Sequence, residues 1–275
     1  MMHDESTAAG LEAEPSDIEH RRTSWQSYDA GTAVRMMHGQ SLHLLPGDAS
    51  SEKLFVFRRQ HIGLILALAR ISLARGGSAG LAVDVGANVG YVAAWLAMRS
   101  DVQRVLAVEP NPRLVSLLEK NLGARGTVIH AVATRESGRR EFPVDLVNSS
   151  LSGFGNPSGM EFQLEQVPAV TLDEVVGEAE SVRLLKVDTE GHECDVLDGA
   201  QDLLLRHSPV IVIEVEKDRG RVLASLRDIV GRSAHRYGSF VADCDGFLRP
   251  VSLEEGEVTA TDLILVPDWA DVRVN

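Results

Sequence analysis

The sequence contains few cysteines and no long uninterrupted apolar run, and each shortage excludes a class of protein. Among the 275 residues are two cysteines, Cys194 and Cys244, which match neither a disulfide framework nor a zinc motif. The longest apolar stretch, residues 62–74, is interrupted by Arg70 and is too short to span a bilayer. The chain does not open with a charged and then apolar leader. We therefore expect a cytoplasmic protein rather than a secreted or membrane-inserted one.

Basic residues, and lysines in particular, are also scarce. The chain has 40 acidic and 27 basic side chains, only four of which are lysine, and its formal net charge is −13. Most of that charge lies in residues 1–20 and 243–275, so the acidity of the whole chain says little about the body between them. The sequence shows no basic stripe and no aromatic-flanked motif of the kind that binds flipped bases. We predict no nucleic-acid and no membrane partner, and the oligomeric state stays open.

The first residues have the composition of a disordered segment. Residues 1–20 carry six acids, no lysine or arginine and almost no apolar side chains. Such a segment cannot bury enough surface to offset the entropy cost of ordering. We therefore predict that residues 1–20 form a disordered acidic tail.

The following segment, residues 21–78, is predicted to form a cap on the main domain, residues 79–275. Two short apolar runs separated by a glycine predict a β-hairpin near its start. The spacing of apolar residues then predicts one helix over residues 52–75, with Ser50 and Ser51 as candidate N-cap residues.

Strand-length apolar runs alternate with amphipathic helical segments through the main domain. The predicted strands lie at residues 81–85, 105–109, 127–133, 184–188, 210–215, 240–244 and 263–266. The predicted helices lie at residues 90–99, from 112 onward after an Asn111 N-cap, at 193–206 and at 219–230. Nearly continuous apolar runs indicate strands that are buried on both faces, and therefore an α/β fold with a parallel sheet covered by helices.

An irregular insert interrupts this alternation between the third and fourth strands. Residues 139–170 contain two strand-like runs, at residues 142–146 and 161–167, around a loop rich in Ser, Gly and Pro. We predict a pair of β-strands there. A short helix is predicted to start at Thr171.

Two motifs follow the first two strands of the sheet, at the edge where ligands of open α/β sheets bind. Residues 84–90 read D-V-G-A-N-V-G. Glycines at a strand-to-helix turn allow a ligand to approach the backbone, and the following helix N-terminus favours an anionic group. The second strand ends in Glu109, whose carboxylate can accept hydrogen bonds from both hydroxyls of a ribose. Together the motifs predict a cofactor that contains a nucleoside.

The glycine loop favours S-adenosylmethionine over a dinucleotide. It reads G-A-N-V-G rather than G-x-G-x-x-G, so it lacks the second glycine that admits a pyrophosphate. Asp84 would repel a diphosphate, whereas it can bind an amino group. S-adenosylmethionine has ribose hydroxyls for Glu109, and its ammonium and sulfonium groups suit acidic surroundings. A nicotinamide-dependent oxidoreductase is therefore the weaker hypothesis.

Five strings along the chain resemble the FkbM-type S-adenosylmethionine-dependent methyltransferases: VDVGANVGY, AVEPNP, TLDEVV, LLKVDTEGHECDVLDGAQDLL and PVIVIEV. The resemblance covers about residues 80–216. It implies a Rossmann-like class I methyltransferase fold, whose seven-stranded, mostly parallel sheet has an antiparallel last strand and helices on both faces. It also implies O-methylation of a small molecule, such as a secondary metabolite or a sugar-containing natural product. Ser149 and Ser150 resemble a serine pair that recurs in the family.

The motif after the fourth strand, Lys186-Val-Asp188-Thr-Glu190-Gly-His192, is predicted to handle the methyl acceptor. Alternate residues of an extended chain share one face, so these polar side chains lie together until the glycine ends the strand. Methyl transfer requires an aligned nucleophile and removal of its proton. His192, with an unperturbed pKa of about 6.5, is the predicted base. Asp188 is predicted to orient the acceptor or contact the cofactor, and Glu190 to assist or simply to stabilise a helix N-terminus.

These interpretations define a complete candidate site. The predicted catalytic residues are His192, Asp188 and Glu190. The predicted cofactor-binding residues are Asp84, Gly86, Ala87, Asn88, Gly90, Tyr91, Glu109, Pro110, Asn111, Val132, Ser150 and Asp188. The predicted cofactor is S-adenosylmethionine, with S-adenosylhomocysteine as product and a small molecule as acceptor, and no metal is expected.

Several alternatives stay open at this point. Asp188, Glu190, His192 and Glu214 can also be interpreted as a divalent-metal set, because hard oxygen ligands gather at two strand ends. N-methylation or carboxyl methylation of a small molecule or peptide, and a silent nucleoside-binding protein, are further alternatives. Three cap histidines can line the acceptor pocket, although surface or core positions are the ordinary case: His38, His43 and His61.

Overall fold

The computed structural model describes residues 15–29, 31–57, 62–153, 162–177, 181–254 and 262–273. Its α-helices are α1 (Pro15–Trp25), α2 (Ala49–Phe57), α3 (Ile62–Ala69), α4 (Tyr91–Met98), α5 (Pro112–Leu122), α6 (Leu172–Val176), α7 (Glu193–Asp198), α8 (Gln201–His207) and α9 (Arg219–Arg232). Its strands are β1 (Val34–Arg35), β2 (Ser41–Leu42), β3 (Gly80–Val85), β4 (Val102–Val108), β5 (Gly126–Ile129), β6 (Val132–Ala133), β7 (Gly138–Asp145), β8 (Phe162–Val170), β9 (Val182–Val187), β10 (Val210–Glu214), β11 (Tyr237–Ala242), β12 (Leu248–Pro250) and β13 (Asp262–Pro267).

Eight of these strands form one central sheet in the order β12-β11-β13-β10-β9-β3-β4-β5. The strands from β10 to β5 are parallel, whereas β13 is antiparallel to both of its neighbours, β10 and β11. With the short edge strand β12 set aside, this is the arrangement that the resemblance implied, with an antiparallel last strand next to β10. The Rossmann-like α/β fold class is therefore confirmed, with one additional edge strand.

Helices cover both faces of this sheet, which explains the nearly continuous apolar strands. Leu184 of β9 packs into a core shared with α4, α5 and the N-terminal segment. The next residue, Leu185, packs into a second core shared with α6, α7, α8 and α9. Because successive side chains of a strand point to opposite faces, the apolar residues of β9 are buried in a core on each side of the sheet. Polar side chains are thereby concentrated at the carboxyl ends of the strands.

The insert forms a separate three-stranded sheet in the order β6-β8-β7. The predicted strand pair is confirmed, because β7 and β8 pair antiparallel. The single strand predicted over residues 127–133 is wrong. Ala131 donates its N–H to the carbonyl of Ile129 (3.0 Å), and this tight turn directs Val132 toward β8 of the other sheet. An apolar run on both sides of the turn gives no local signal of it.

The N-terminal segment confirms the hairpin, as β1 and β2 pair antiparallel, but it corrects the helix boundaries. Asp48, rather than Ser50 or Ser51, accepts the N-terminal hydrogen bond of α2, from the N–H of Ser51 to its Oδ2 (2.7 Å). The helix predicted over residues 52–75 ends at Ala69 in α3. A bridge between Ile71 and Val272 follows, so pairing with the chain's C-terminal part stops the helix.

The predicted disorder of residues 1–20 is wrong for residues 15–20, which belong to α1, while residues 1–14 lie outside the described residues. The contacts that hold α1 come from its later turns. The ring of Trp25 stacks on Tyr28 with 5.0 Å between centroids and lies 5.3 Å from Phe55. Arg21 donates to the carbonyl of Val56 (3.0 Å). A composition argument limited to residues 1–20 misses these anchors.

The helix predicted over residues 193–206 is interrupted and consists of α7 and α8. The interruption has a tertiary cause, because Asp173 of α6 caps the start of α8. Its carboxylate accepts from the N–H groups of Asp202 (3.1 Å) and Leu203 (2.8 Å). Among the described residues, none of the helices has both the length and the apolar character needed to cross a membrane.

Candidate active site

The site is a cleft at the carboxyl ends of β3, β4, β9 and β10, bounded on one side by the N-terminal segment and the insert. Ten of the twelve predicted cofactor-binding residues line it, and all three predicted catalytic residues do so. The lining cofactor-binding residues are Asp84, Gly86, Ala87, Asn88, Tyr91, Glu109, Pro110, Val132, Ser150 and Asp188.

Gly86 allows the carboxyl ends of β3 and β9 to approach each other. Its φ is +74°, a region that side chains rarely adopt, and an added Cβ would lie 1.8 Å from the carbonyl oxygen of Asp188. The turn is also tied to β4, because the N–H groups of Gly86 (3.0 Å) and Ala87 (3.3 Å) both donate to Val108. Only glycine fits between the two strands here.

Gly90 and Asn111, the other two predicted cofactor-binding residues, do not line the cleft. An added Cβ on Gly90 would lie 2.6 Å from Leu118 Cδ1, so this glycine allows α4 to pack against α5. Asn111 is fully buried and caps α5 by accepting from the N–H of Arg113 (3.0 Å). Both residues hold the elements that form the cleft without being exposed in it. Sequence spacing alone does not distinguish such a residue from one that lines the cleft.

Glu109 presents a buried, preorganised carboxylate to the cleft. It is 5% exposed, its Oε2 accepts from the N–H of Asn88 (2.7 Å), and its Oε1 accepts from the N–H of Asn111 (2.9 Å). Burial raises its pKa to about 7, since the two backbone hydrogen bonds only partly offset the cost of desolvation. Each carboxylate oxygen keeps capacity for a further donor.

Asp84 already has an ammonium partner within the protein. The Nζ of Lys186 lies 3.1 Å from Asp84 Oδ1 and 3.3 Å from Asp188 Oδ2, and both Lys186 and Asp84 are buried. Burial alone would lower the Lys186 pKa, but the two carboxylates outweigh it and raise the pKa. The sequence interpretation gave Asp84 an amino partner on the cofactor, whereas the structure provides one on β9. Lys186 was not assigned a role from the sequence.

A second group of acids lies where β9 and β10 end. Ligand atoms of Asp188, Glu190 and Glu214 lie within 4.8 Å of one another, so three members of the alternative metal set meet and His192 is not among them. Lys217 donates to Glu190 Oε2 (3.2 Å), which places a second ammonium at the cluster. Burial, reinforced by the neighbouring carboxylates, raises the pKa of Glu214 to about 8. The cluster is suited to cationic groups, and two of its members already contact lysines.

His192 immediately precedes α7 and pairs with an acidic residue one turn further along the helix. Its Nδ1 lies 3.1 Å from Asp195 Oδ2, and Arg135 in turn pairs with Asp195. Burial lowers the pKa of His192 although Asp195 opposes this effect, so the ring is neutral near pH 7. The contact to Asp195 places the ring proton on Nδ1 and the lone pair on Nε2. Sequence reasoning found His192 and missed Asp195.

The cleft also contains residues that sequence reasoning missed. They come from the N-terminal segment, the insert and the turn after β9: Ser50, Leu54, Phe142, Ser152 and Thr189. Thr189 lies within the motif after β9 but received no role there. No local motif marks the other four, because tertiary contacts bring them to the strand ends. His38 and His43 do not line the cleft, and His61 lies outside the described residues.

The strand order and this cleft together define a class I methyltransferase fold. A model of the methyltransferase FkbM domain matches residues 84–239, more than half of the chain. The chain therefore belongs to the FkbM methyltransferase family, and the resemblance noted from its motifs is confirmed.

The individual proteins that the chain resembles share less than a third of their aligned residues with it. The AMB antimetabolite synthetase AmbE of Pseudomonas aeruginosa is 28% identical in an alignment 229 residues long, which covers 69% of this chain and 10% of that protein. The FkbM methyltransferase structure from Methylobacillus flagellatus has a TM-score of 0.47 at 17% identity and is matched over 91% of this chain and 60% of its own. An S-adenosylmethionine-dependent O-methyltransferase from Thermotoga maritima has a TM-score of 0.40 at 14% identity, over 86% and 77%. The chain thus spans about a tenth of the curated relative.

Proposed function

We propose that this chain transfers the methyl group of S-adenosylmethionine to a hydroxyl oxygen of a small molecule. The observation that carries the proposal is Glu109, a buried carboxylate at a strand end whose two oxygens are each held by one backbone N–H beside the Gly86 turn. A methyltransferase family domain with such a carboxylate at its second strand fits a cofactor that contains a ribose.

The cleft residues fit S-adenosylmethionine in three respects. The Glu109 oxygens can each accept a ribose hydroxyl, and the acidic cluster at Glu214 suits the positive charge of the cofactor. The Tyr91 hydroxyl is buried with no hydrogen-bond partner among the described residues, and burial raises its pKa to about 12. Leaving a buried donor unsatisfied costs about 1–3 kcal/mol, so a polar ligand atom is the expected partner.

The protein's own residues account for the proton transfer. S-adenosylmethionine supplies a methyl carbon bonded to a sulfonium, and its transfer to oxygen leaves S-adenosylhomocysteine. His192 accepts the hydroxyl proton on Nε2, while Asp195 holds the ring and stabilises the imidazolium that forms. Asp188, held by Lys186, orients the acceptor from the neighbouring strand end. We assign no step to a metal.

The N-terminal segment is proposed to lie on the acceptor side, because Ser50 and Leu54 of α2 line the cleft. The relative AmbE is named an antimetabolite synthetase, which supports a small molecule of natural product biosynthesis as acceptor. We propose a bacterial cytoplasmic enzyme with no nucleic-acid or membrane partner. N-methylation and carboxyl methylation differ from this proposal in the atom that receives the methyl group.

Calorimetry tests the cofactor assignment. We expect wild-type protein to bind S-adenosylmethionine and S-adenosylhomocysteine and to give no heat with NAD. Glu109→Gln, which keeps the size of the side chain, should weaken S-adenosylhomocysteine binding about tenfold or more because charged hydrogen bonds are lost. Glu119→Gln, on the exposed face of α5, is the matched control and should bind normally. Heat with NAD alone would overturn the proposal.

A further inference from the structure

We propose that Asp48 is a positioning residue of the cofactor loop, the turn of residues 84–90 after β3, although it lies in the N-terminal segment outside the residues that match the family model. Asp48 is fully buried, and three donors converge on its carboxylate. Its Oδ2 accepts from the N–H of Ser51 (2.7 Å), which caps α2. Its Oδ1 accepts from the N–H of Ser149 (2.6 Å), and its Oδ2 also accepts from the Ser149 hydroxyl (3.1 Å). One side chain therefore joins α2 of the N-terminal segment to the insert.

The hydrogen bonds continue from Ser149 to the cofactor loop. Because the Ser149 hydroxyl donates to Asp48, its oxygen accepts from Asn88 Nδ2 (3.2 Å). The other end of the same amide, Asn88 Oδ1, accepts from the N–H of Val89 (2.7 Å). Both ends of the Asn88 side chain are thus held, and the direction of every bond follows from the Asp48 carboxylate.

This chain of bonds ends at the carboxylate proposed to bind the ribose. Asn88 has a φ of +53°, which non-glycine residues rarely adopt, and its backbone N–H donates to Glu109 Oε2 (2.7 Å). Holding the Asn88 side chain stabilises this backbone conformation and keeps the N–H directed at Glu109. Asp48, Ser149 and Asn88 therefore form a relay, in that order, that preorganises Glu109.

A second contact makes the N-terminal segment a part of the binding site rather than a separate cover. Ala49 donates its N–H to the carbonyl of Val147 (2.9 Å), next to the Asp48 contact. Ser50 and Leu54 of the same helix line the cleft. The relay therefore connects the position of α2 with the geometry of the cofactor loop, and the inference rests on the proposed cofactor-binding function.

Two variants separate the relay from the helix cap. Asp48→Ser keeps a good N-cap residue, but its short hydroxyl cannot also accept from Ser149. Ser149→Ala removes the middle of the relay and leaves the cap untouched. Leu42→Ala is the control, because Leu42 is fully buried in the same N-terminal segment and has no part in the relay. It reports what destabilisation of the segment does by itself.

The measurements are the dissociation constant of S-adenosylhomocysteine and the hydrogen exchange of the Asn88 amide in ligand-free protein. Each relay variant should weaken S-adenosylhomocysteine binding about fivefold to tenfold. The double variant should bind no more weakly than the single variant that binds it less well. Both variants should speed exchange at Asn88. Leu42→Ala should lower the melting temperature and change neither quantity.

The possible failures are distinguishable. If wild-type protein binds S-adenosylhomocysteine and both relay variants bind it equally well, Asp48 is not a positioning residue while the proposed function stands. If wild-type protein does not bind it, the proposed function is wrong, and the exchange rate of Asn88 still decides whether the relay exists. An equal loss of affinity in Leu42→Ala would show a general effect of segment stability and overturn the inference.

Discussion

Glu109 illustrates at the residue scale how a binding group can be held in an unfavourable state until its ligand arrives. The hydrogen bonds that it accepts from two backbone N–H groups do not fully offset the cost of burying its charge, so the pKa of the carboxyl is raised to about 7. Two further hydroxyl donors would favour the ionised form. Ligand binding and ionisation of Glu109 are therefore expected to be linked.

The affinity for S-adenosylhomocysteine should accordingly rise with pH. Below pH 7 part of the protein carries a protonated Glu109, and binding must release that proton. Between pH 6 and pH 8 we expect the affinity to increase about tenfold. Calorimetry in buffers of different ionisation enthalpy measures the released protons. Glu109→Gln should show neither the pH dependence nor the release, and an unchanged pH dependence in that variant would refute the linkage.

His192 is the residue on which the chemical step depends. His192→Ala should slow methyl transfer to the acceptor by about 10²–10⁴-fold, the usual contribution of a general base, and leave the dissociation constant of S-adenosylhomocysteine unchanged. A radiolabelled-methyl assay measures the transfer, with His20→Ala on the exposed side of α1 as control. Normal turnover by His192→Ala would show that another group takes the proton.

Asp195 should reveal itself in the pH profile of the same assay. Its carboxylate raises the pKa of His192 against the effect of burial. Asp195→Asn removes that charge, so the acid limb of kcat should move to lower pH. A purely structural role of Asp195 would change the melting temperature without moving the limb.

At the scale of secondary-structure elements, the site depends on how closely β3 and β9 approach at Gly86. Gly86→Ala should cost the left-handed backbone penalty of about 1–2 kcal/mol and, in addition, force the Asp188 carbonyl away. We expect a lower melting temperature and a loss of S-adenosylhomocysteine binding. Thermal unfolding and calorimetry measure the two effects.

Gly76→Ala is the matched control for this substitution. Gly76 also has a positive φ (+60°), but its Cβ would meet no atom of the described residues within 4 Å. It should show a backbone penalty and no loss of binding. Equal losses of affinity in both variants would show that the close approach of β3 and β9 is irrelevant to the site.

Elements were predictable from the sequence where local pattern and tertiary environment agree. The strands β3, β9 and β10 and the helix α5 follow directly from apolar runs, from apolar spacing and from the Asn111 cap. The boundary between β5 and β6 and the interruption between α7 and α8 were not predictable. They depend on pairing with β8 and on capping by Asp173, which come from distant parts of the chain.

At the scale of the whole molecule, acids gathered at the strand ends tie the stability of the ligand-free protein to pH. The pKa of Glu109 is raised to about 7 and that of Glu214 to about 8, against ordinary values near 4.5 in the unfolded chain. A raised carboxyl pKa means that the stability present at low pH is lost as the pH rises through the folded value. The free energy of unfolding should therefore fall as the pH rises from 6.5 to 8.5. The window begins at pH 6.5 because the histidines of the unfolded chain no longer take up protons above it.

Thermal unfolding across that range measures the effect. Glu214→Gln should flatten the decline, because the half-buried side chain can no longer ionise, and Glu216→Gln, at an exposed position two residues further along the chain, serves as control. Saturating S-adenosylhomocysteine should raise the melting temperature more at pH 8 than at pH 6. An identical slope in wild type and Glu214→Gln would contradict the assignment.

The parallel sheet, the family and most of the cleft residues could be predicted from the amino-acid pattern. Strand-end positions are set locally, so Gly86, Glu109, Asp188 and His192 could be placed at one edge from the pattern alone. The partners of these groups become apparent only in the folded protein: Lys186 for Asp84, Asp195 for His192, and the relay from Asp48. The Lys186 and Asp48 contacts join residues that are distant in sequence, whereas the Asp195 contact depends on where α7 begins. Burial and hydrogen-bond geometry arise only when the elements pack together.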